Sequence, residues 1–173
     1  MTVRTLVLLR HAKADNPFGM ADADRPLTER GLRDARAAGR WLAQQALPEL
    51  VLCSPARRTR QTWQAVAEQL PAQAVPQVRY EPTIYQGGVT EVLTLLRQIS
   101  DDVTRVLVVG HNPTLSYLAF TLSEGTHSPA RLDSDGLRTS TLAVHEFTGT
   151  WPDCGPGTAA LAAVHTARAE LTG

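Results

Sequence analysis

The chain has 173 residues, 43% of them hydrophobic, with 17 Lys plus Arg balanced against 17 Asp plus Glu. A chain of that size closes one core without disulfide or metal staples, so a single domain spanning residues 1–173 is expected, and disorder is excluded. Zero net charge removes any global attraction to nucleic acid or an anionic membrane, so no nucleic-acid or membrane partner is expected and any anion site has to be built locally.

The apolar part of the amino terminus, Thr5–Leu9, is too short for a secretory signal and no small-residue cleavage pattern follows it. There is no apolar run of about 20 residues. Cys53 and Cys154 form a pair only by number, and without an export signal they are expected as free thiols of a cytoplasmic protein. Sixteen arginines accompany a single lysine, Lys13, a skew from which no function is drawn.

The first apolar run, Val3–Leu9, mixes leucine with β-branched residues and reads as a buried strand, yet it gives way at once to Arg10, His11 and Lys13. A loop rich in Asp, Gly and Pro follows over Ala14–Pro26. Leu32, Ala35, Gly39, Leu42 and Ala46 then step by threes and fours, predicting an amphipathic helix over Thr28–Gln45 with Thr28 as N-cap; Gly31 denies it a capping box. Leu50–Cys53 is a second strand. Ser54 and Pro55 predict an N-cap and first-turn proline, and Thr59, Thr62, Trp63, Val66 and Leu70 mark the buried face of the helix they open. After the breakers of Pro71–Pro76, Val78–Tyr80 reads as a short strand, and Val92, Leu95, Leu96 and Ile99 predict a helix over Thr90–Ile99. Arg105–Val109 is the most strand-like run of all. It is closed by Gly110, His111, Asn112 and Pro113, the last two forming a second N-cap and first-turn pair for a helix through Leu122. Ser123–Gly136 reads as loop, Leu137–Phe147 as a strand and Ala159–Val164 as a last strand.

Strands alternating with helices predict an α/β fold: a three-layer sandwich with a mostly parallel central sheet and helices on both sides. Ligands of such sheets bind at the carboxyl ends of the strands. That rule brings Arg10 and His11, Ser54–Arg60 and Gly110–Asn112 to one edge. Arg57, Arg58 and Arg60 fall in the first two turns of a predicted helix, where each cation is disfavoured by roughly 0.3–1 kcal/mol unless an anion sits there. Arg57 and Arg60 are expected in solvent, and Arg58 is retained as a planar donor to a phosphate.

Two arginines and two histidines around one anion make a phosphoryl-transfer site. A neutral imidazole can attack phosphorus to give a phosphohistidine, while guanidinium groups hold the equatorial oxygens and lower the imidazole pKa. The residues leave open which histidine attacks. No metal and no cofactor are expected, because the chain holds no HExxH, paired CxxC or strand-end DxD. GxxxxGK[ST], GxGxxG and GxSxG are also missing.

Four ordered segments carry a resemblance: LLRHAKAD, RPLTERG at Arg25–Gly31, SPARRTRQT at Ser54–Thr62 and VVGHNP at Val108–Pro113. Together they resemble the histidine phosphatase superfamily, and most its small SixA-type phosphohistidine phosphatase branch, over Val3 to about Glu146. The resemblance implies that His11 is the phosphorylated nucleophile and that Arg10, Arg58 and His111 complete the catalytic phosphate pocket. Ser54 and Lys13 are candidate substrate-binding residues, with Asn16 and Thr28 at the rim. Thr59 stands where the family usually has alanine. Larger members carry a carboxylate proton donor after the second helix; Glu81 lies about one residue from that place and is the candidate donor here. An acid-poor site suits the labile P–N bond, so the implied partner is a phosphate-bearing substrate, with a phosphohistidine protein favoured. A small-molecule phosphomonoesterase or mutase is the alternative chemistry. A non-catalytic phosphate-binding module is the alternative of another class, against which the two histidines count. His127, His145 and His165 have no partner motif, and Trp41, Trp63 and Trp151 are expected as packing.

Overall fold

A computed structural model describes residues 1–170. Its strands are β1 (Val3–Arg10), β2 (Leu50–Cys53), β3 (Gln77–Tyr80), β4 (Arg105–Gly110), β5 (Thr141–Thr148) and β6 (Ala160–Thr166). Its helices are α1 (Glu29–Gln45), α2 (Arg57–Ala67), α3 (Pro82–Gln86), α4 (Val89–Leu96) and α5 (Thr114–Ser123). All six strands join one sheet in the order β3-β2-β4-β1-β5-β6. The block β3-β2-β4-β1 is parallel, and the β1–β5 and β5–β6 pairs are antiparallel.

Successive strand side chains point to opposite faces, so each central strand feeds two cores. Leu6, Leu8, Leu50, Leu52, Val106 and Val108 cluster with Val92 and Leu96 of α4 and with Leu115, Leu118 and Leu122 of α5. Their neighbours Val7, Leu9, Val51, Cys53, Leu107 and Val109 cluster with Ala38 and Leu42 of α1 and with Trp63 and Val66 of α2. Burial on both faces explains why these strands read as continuous apolar runs rather than as alternating ones. It also gives the expected three layers.

Thr28 caps α1 as the sequence suggested, its hydroxyl accepting from the Gly31 amide at 3.0 Å. Gly31 itself lies against the segment that follows His11: a Cβ there would stand 2.1 Å from the Lys13 carbonyl oxygen. That carbonyl also accepts the Thr28 amide at 2.9 Å. Gly31→Ala is therefore expected to cost about 1–3 kcal/mol as the chain shifts to relieve the overlap, measurable as a lower denaturant midpoint.

Two cap assignments are corrected. α2 begins at Arg57 with Ala56 as N-cap, because the Ser54 hydroxyl is engaged by His111. α5 begins at Thr114 with Pro113 as N-cap; the Asn112 amide bonds the Leu137 carbonyl at 2.7 Å, and its oxygen accepts the Ser116 hydroxyl at 2.6 Å. Leu70 and Ile99 lie beyond the ends of α2 and α4, and β5 starts at Thr141 rather than Leu137. The five-residue α3 was not expected. Trp63 and Trp151 are packing residues as anticipated, and Trp41 stacks on His165 with ring centroids 4.8 Å apart. Cys53 and Cys154 are free and buried. Among the described residues no helix is long and apolar enough to cross a membrane.

Candidate active site

β1, β2 and β4 end level with one another, Arg10 opposite Gly110 and Cys53 opposite Val109. The backbone continues that register by one residue, the His11 amide bonding the Gly110 carbonyl and the Ser54 amide the Val109 carbonyl, both at 3.0 Å. His11, Ser54 and His111 are thus delivered to one edge from segments far apart in the chain. The His11 and His111 rings lie 5.4 Å apart, centroid to centroid, tilted by 55°.

His11 is 8% exposed, and its Nδ1 lies 2.7 Å from the Ala12 carbonyl oxygen. A carbonyl only accepts, so the ring hydrogen sits on Nδ1 and the Nε2 lone pair is free. Burial pushes the ring pKa down to about 4 against the Ala12 hydrogen bond, with the charges of Arg58, Arg10 and Arg25 adding to the fall. The arginine effect expected from the sequence is present, but desolvation is larger.

His111 is oriented by Ser54, whose Oγ lies 2.7 Å from Nε2 and also accepts the Ala56 amide at 3.3 Å. A hydroxyl oxygen carries two lone pairs, so with one taken by that amide it can either donate to His111 Nε2 or accept from it; donation to Nε2 places the ring hydrogen on Nδ1. Burial, then Arg58 and His11, lower this ring to about 3, with Asp22 opposing. Thr59, in the place of the usual alanine, sets its hydroxyl 2.8 Å from both the Ser54 and Ala56 carbonyls and pins this turn.

Arg58 is buried at the start of α2, donating from its two Nη atoms to the Asp22 carbonyl at 2.7 Å and to Asp22 Oδ2 at 3.0 Å. Its own carbonyl accepts the Thr62 hydroxyl at 2.7 Å, and that hydroxyl oxygen accepts the Ala12 amide at 3.1 Å, tying α2 to the residue after His11. Arg10 donates from Nη1 to the Leu137 carbonyl at 3.1 Å. Among the described residues three buried nitrogens of this cluster have no partner: Arg10 Nε, Arg58 Nε and His111 Nδ1. Each such buried polar atom costs roughly 1–3 kcal/mol, more where charged, unless a partner meets it. The two guanidinium nitrogens are donors in any state, and an anion with several oxygens satisfies them.

Sequence reasoning missed two residues of the cluster. Asp22 accepts from Arg58 and, at 2.7 Å, from the Tyr85 hydroxyl, while Arg25 Nη1 lies 3.3 Å from its other oxygen. The Tyr85 bond foremost, then Arg58 and Arg25, hold the Asp22 carboxyl down at about 2 against the opposing effect of burial. Tyr85 also meets His111 edge-on, with centroids 5.4 Å apart. The only sequence signal was the charge density of the Asp22–Arg25 stretch.

Other expected residues stand further out. Lys13 is exposed, and its side chain makes no hydrogen bond or ion pair among the described residues. Ser54 reaches the site through His111. Glu81 is the half-buried N-cap of α3, its amide bonding the Cys53 carbonyl at 2.8 Å, and its carboxylate bonds none of the cluster. Asn16 is exposed, and the Thr28 hydroxyl is spent on α1. Among the described residues no group of three or more His, Cys, Asp or Glu side chains is arranged to hold a metal ion.

The model of the histidine phosphatase superfamily (branch 1) matches residues 6–82. A protein of Nakamurella multipartitia assigned as phosphohistidine phosphatase SixA superposes with a TM-score of 0.83 at 36% identity, covering 96% of this chain and 98% of that one. A protein histidine phosphatase SixA complexed with tungstate gives 0.74 at 27% identity, covering 94% and 96%. An uncharacterised protein of Mycobacterium tuberculosis is 42% identical over 164 residues, 92% of this chain and 100% of its own length. The chain therefore belongs to the histidine phosphatase superfamily, on its SixA-like side, and is a phosphatase.

Proposed function

We propose that the chain hydrolyses its substrate without a metal through a phosphorylated His11, and that protein phosphohistidine is the favoured substrate. The observation that carries this reading is the free Nε2 of His11 in one cluster with three buried nitrogens that have no partner among the described residues, Arg10 Nε, Arg58 Nε and His111 Nδ1. His11 Nε2 gives its lone pair to phosphorus as the bond to the leaving nitrogen breaks, and the leaving imidazole keeps that electron pair and carries its own proton. The arginines and His111 Nδ1 hold the equatorial oxygens through the loose transition state. Water then attacks phosphorus, the bond to His11 breaks, inorganic phosphate departs and the ring recovers its lone pair.

The cluster holds no carboxyl group free to act as an acid. Asp22 is ionised and engaged by Arg58 and Tyr85, and Glu81 makes no bond to the site. This favours a leaving group that departs without one, and the names of the SixA relatives point the same way. A panel of a phosphohistidine peptide against glycerate and sugar phosphates tests it. General acid catalysis contributes about 10²–10⁴-fold where an acid is present, so kcat/KM is expected at least about 100-fold higher on the P–N substrate, unchanged by chelator. Preference for a sugar or glycerate phosphate would make the chain a small-molecule phosphomonoesterase or mutase. Stable binding without turnover would make it a phosphate-binding module.

Protonating Nε2 consumes the lone pair, so activity falls as pH drops through the His11 pKa. With that value at about 4, the acid limb of kcat/KM for a phosphate ester is expected near pH 4, well below the roughly 6.5 of an unperturbed histidine.

A further inference from the structure

A sizeable groove lies apart from the phosphate pocket. It encloses about 640 Å³ between α1 and the end of β6, lined among others by Arg33, Arg36, Arg40, His165, Arg168 and Glu170. The arginines of α1 fall three and four residues apart, and so share one face of the helix. Arg36 is paired with Glu68 at 3.0 Å and Arg168 lies 3.9 Å from the buried Asp34, whereas Arg33 and Arg40 are exposed and make no ion pair or hydrogen bond among the described residues. In a chain of zero net charge this is a local excess of positive charge.

Its position relates it to the catalytic edge. β5 is antiparallel to both β1 and β6, so β6 runs in the direction of β1 and ends at the same side of the sheet. His165 is opposite Leu142, which is opposite Leu9, one residue before Arg10. At a strand spacing of about 4.8 Å, His165 is roughly 10 Å across the sheet from β1. α1 also starts at this edge, Gly31 resting on the Lys13 backbone, so Arg33 is near the catalytic end and Arg40 about two turns away. The groove thus opens beside the phosphate pocket.

We infer that this groove docks an acidic surface of the phosphoprotein whose phosphohistidine enters the pocket, an inference that rests on the substrate reading above. The lining favours a protein over a nucleic acid. Glu170 in the lining, and the buried Asp34 behind Arg168, interrupt the positive charge, which repels a continuous phosphate backbone but suits the mixed charge of a protein face, and the neutral chain lacks the domain-wide basicity of a nucleic-acid binder. The stacked Trp41–His165 pair stiffens one wall. Exposed charges of this kind act mainly on encounter and KM and leave the chemical step unchanged.

The test compares wild type with Arg33→Glu/Arg40→Glu, and with Arg33→Gln/Arg40→Gln as a milder pair, on three substrates: serum albumin phosphorylated on histidine with phosphoramidate, a short neutral phosphohistidine peptide, and para-nitrophenyl phosphate. The charge-reversed pair is expected to lower kcat/KM about tenfold on the acidic carrier alone, mostly through KM, with a smaller fall for the neutral pair and a weaker salt dependence in both. Equal kcat/KM on the carrier in wild type and variants would overturn the docking role while leaving the substrate reading intact. So would a parallel fall on all three substrates. Loss of affinity for a single-stranded oligonucleotide without any change on the carrier would reassign the groove to nucleic acid and overturn it too. Failure of the wild type on both phosphohistidine substrates, with the ester still turned over, would remove the substrate reading and the docking role with it.

Discussion

His11→Ala is expected to leave a folded protein with turnover of para-nitrophenyl phosphate reduced by at least about 10³-fold, because in the proposed mechanism it deletes the group to which phosphorus is transferred. The arginines, His111 and their hydrogen bonds stay in place, so the variant is expected to keep binding oxyanions such as tungstate. Those two readouts separate loss of a nucleophile from loss of the pocket. His111→Ala should behave differently: it removes the ring that contacts Ser54 and Tyr85, and with it the oxygen donor of the proposed mechanism, and is expected to lower the rate while leaving phosphotransfer to His11 possible.

The second large effect is expected at Arg58. Its guanidinium spans two tasks, the Nη atoms holding the Asp22 loop and Nε remaining unpaired and buried beside His11. Lysine supplies one point charge and no fork, so Arg58→Lys cannot satisfy the Asp22 carbonyl and carboxylate while also donating inward. A fall in kcat of about 10²–10³-fold is expected, with weaker tungstate inhibition in parallel, and thermal melting should show the Asp22 loop loosening at modest cost. A lysine variant with near wild-type kcat would mean that charge alone suffices and that the planar donor has no special part.

The parts of the fold legible in the sequence were those set by local patterns. β1, β2 and β4 are buried on both faces and read as unbroken apolar runs; α1 declared itself through its stripe and through Thr28. The misreadings share a cause. Ser54–Pro55 and Asn112–Pro113 have the composition of helix starts, but Ser54 and Asn112 spend their side chains on His111 and on Leu137 and Ser116, contacts that only the assembled sheet provides. α3 is five residues long, too short to show a period. The antiparallel return of β5 beside β1 depends on pairing across more than a hundred residues and leaves no mark in either strand.

The placing of Arg10, His11, Arg58 and His111 at one edge was legible because each ends or follows a strand or opens a helix at the carboxyl edge, where topology brings such positions together. Asp22 and Tyr85 were not. They reach Arg58 and His111 from a loop and from a helix of five residues, and neither has a periodic neighbour to betray which way it faces. The leading cause of the low histidine pKa values was hidden for the same reason, since burial outweighs the arginine charges that sequence reasoning could see. The unpaired buried nitrogens gathered near His11 are likewise a property of the packed site.

The central claim is a covalent one and is tested most directly by trapping it. Wild-type enzyme mixed with ³²P-labelled phosphohistidine peptide and quenched in alkali within milliseconds should carry label that is stable to base and lost in acid, mapping to the peptide that contains His11 and disappearing in His11→Ala. Label on His111 instead, or full turnover with no phosphorylated enzyme at any quench time, would contradict the account.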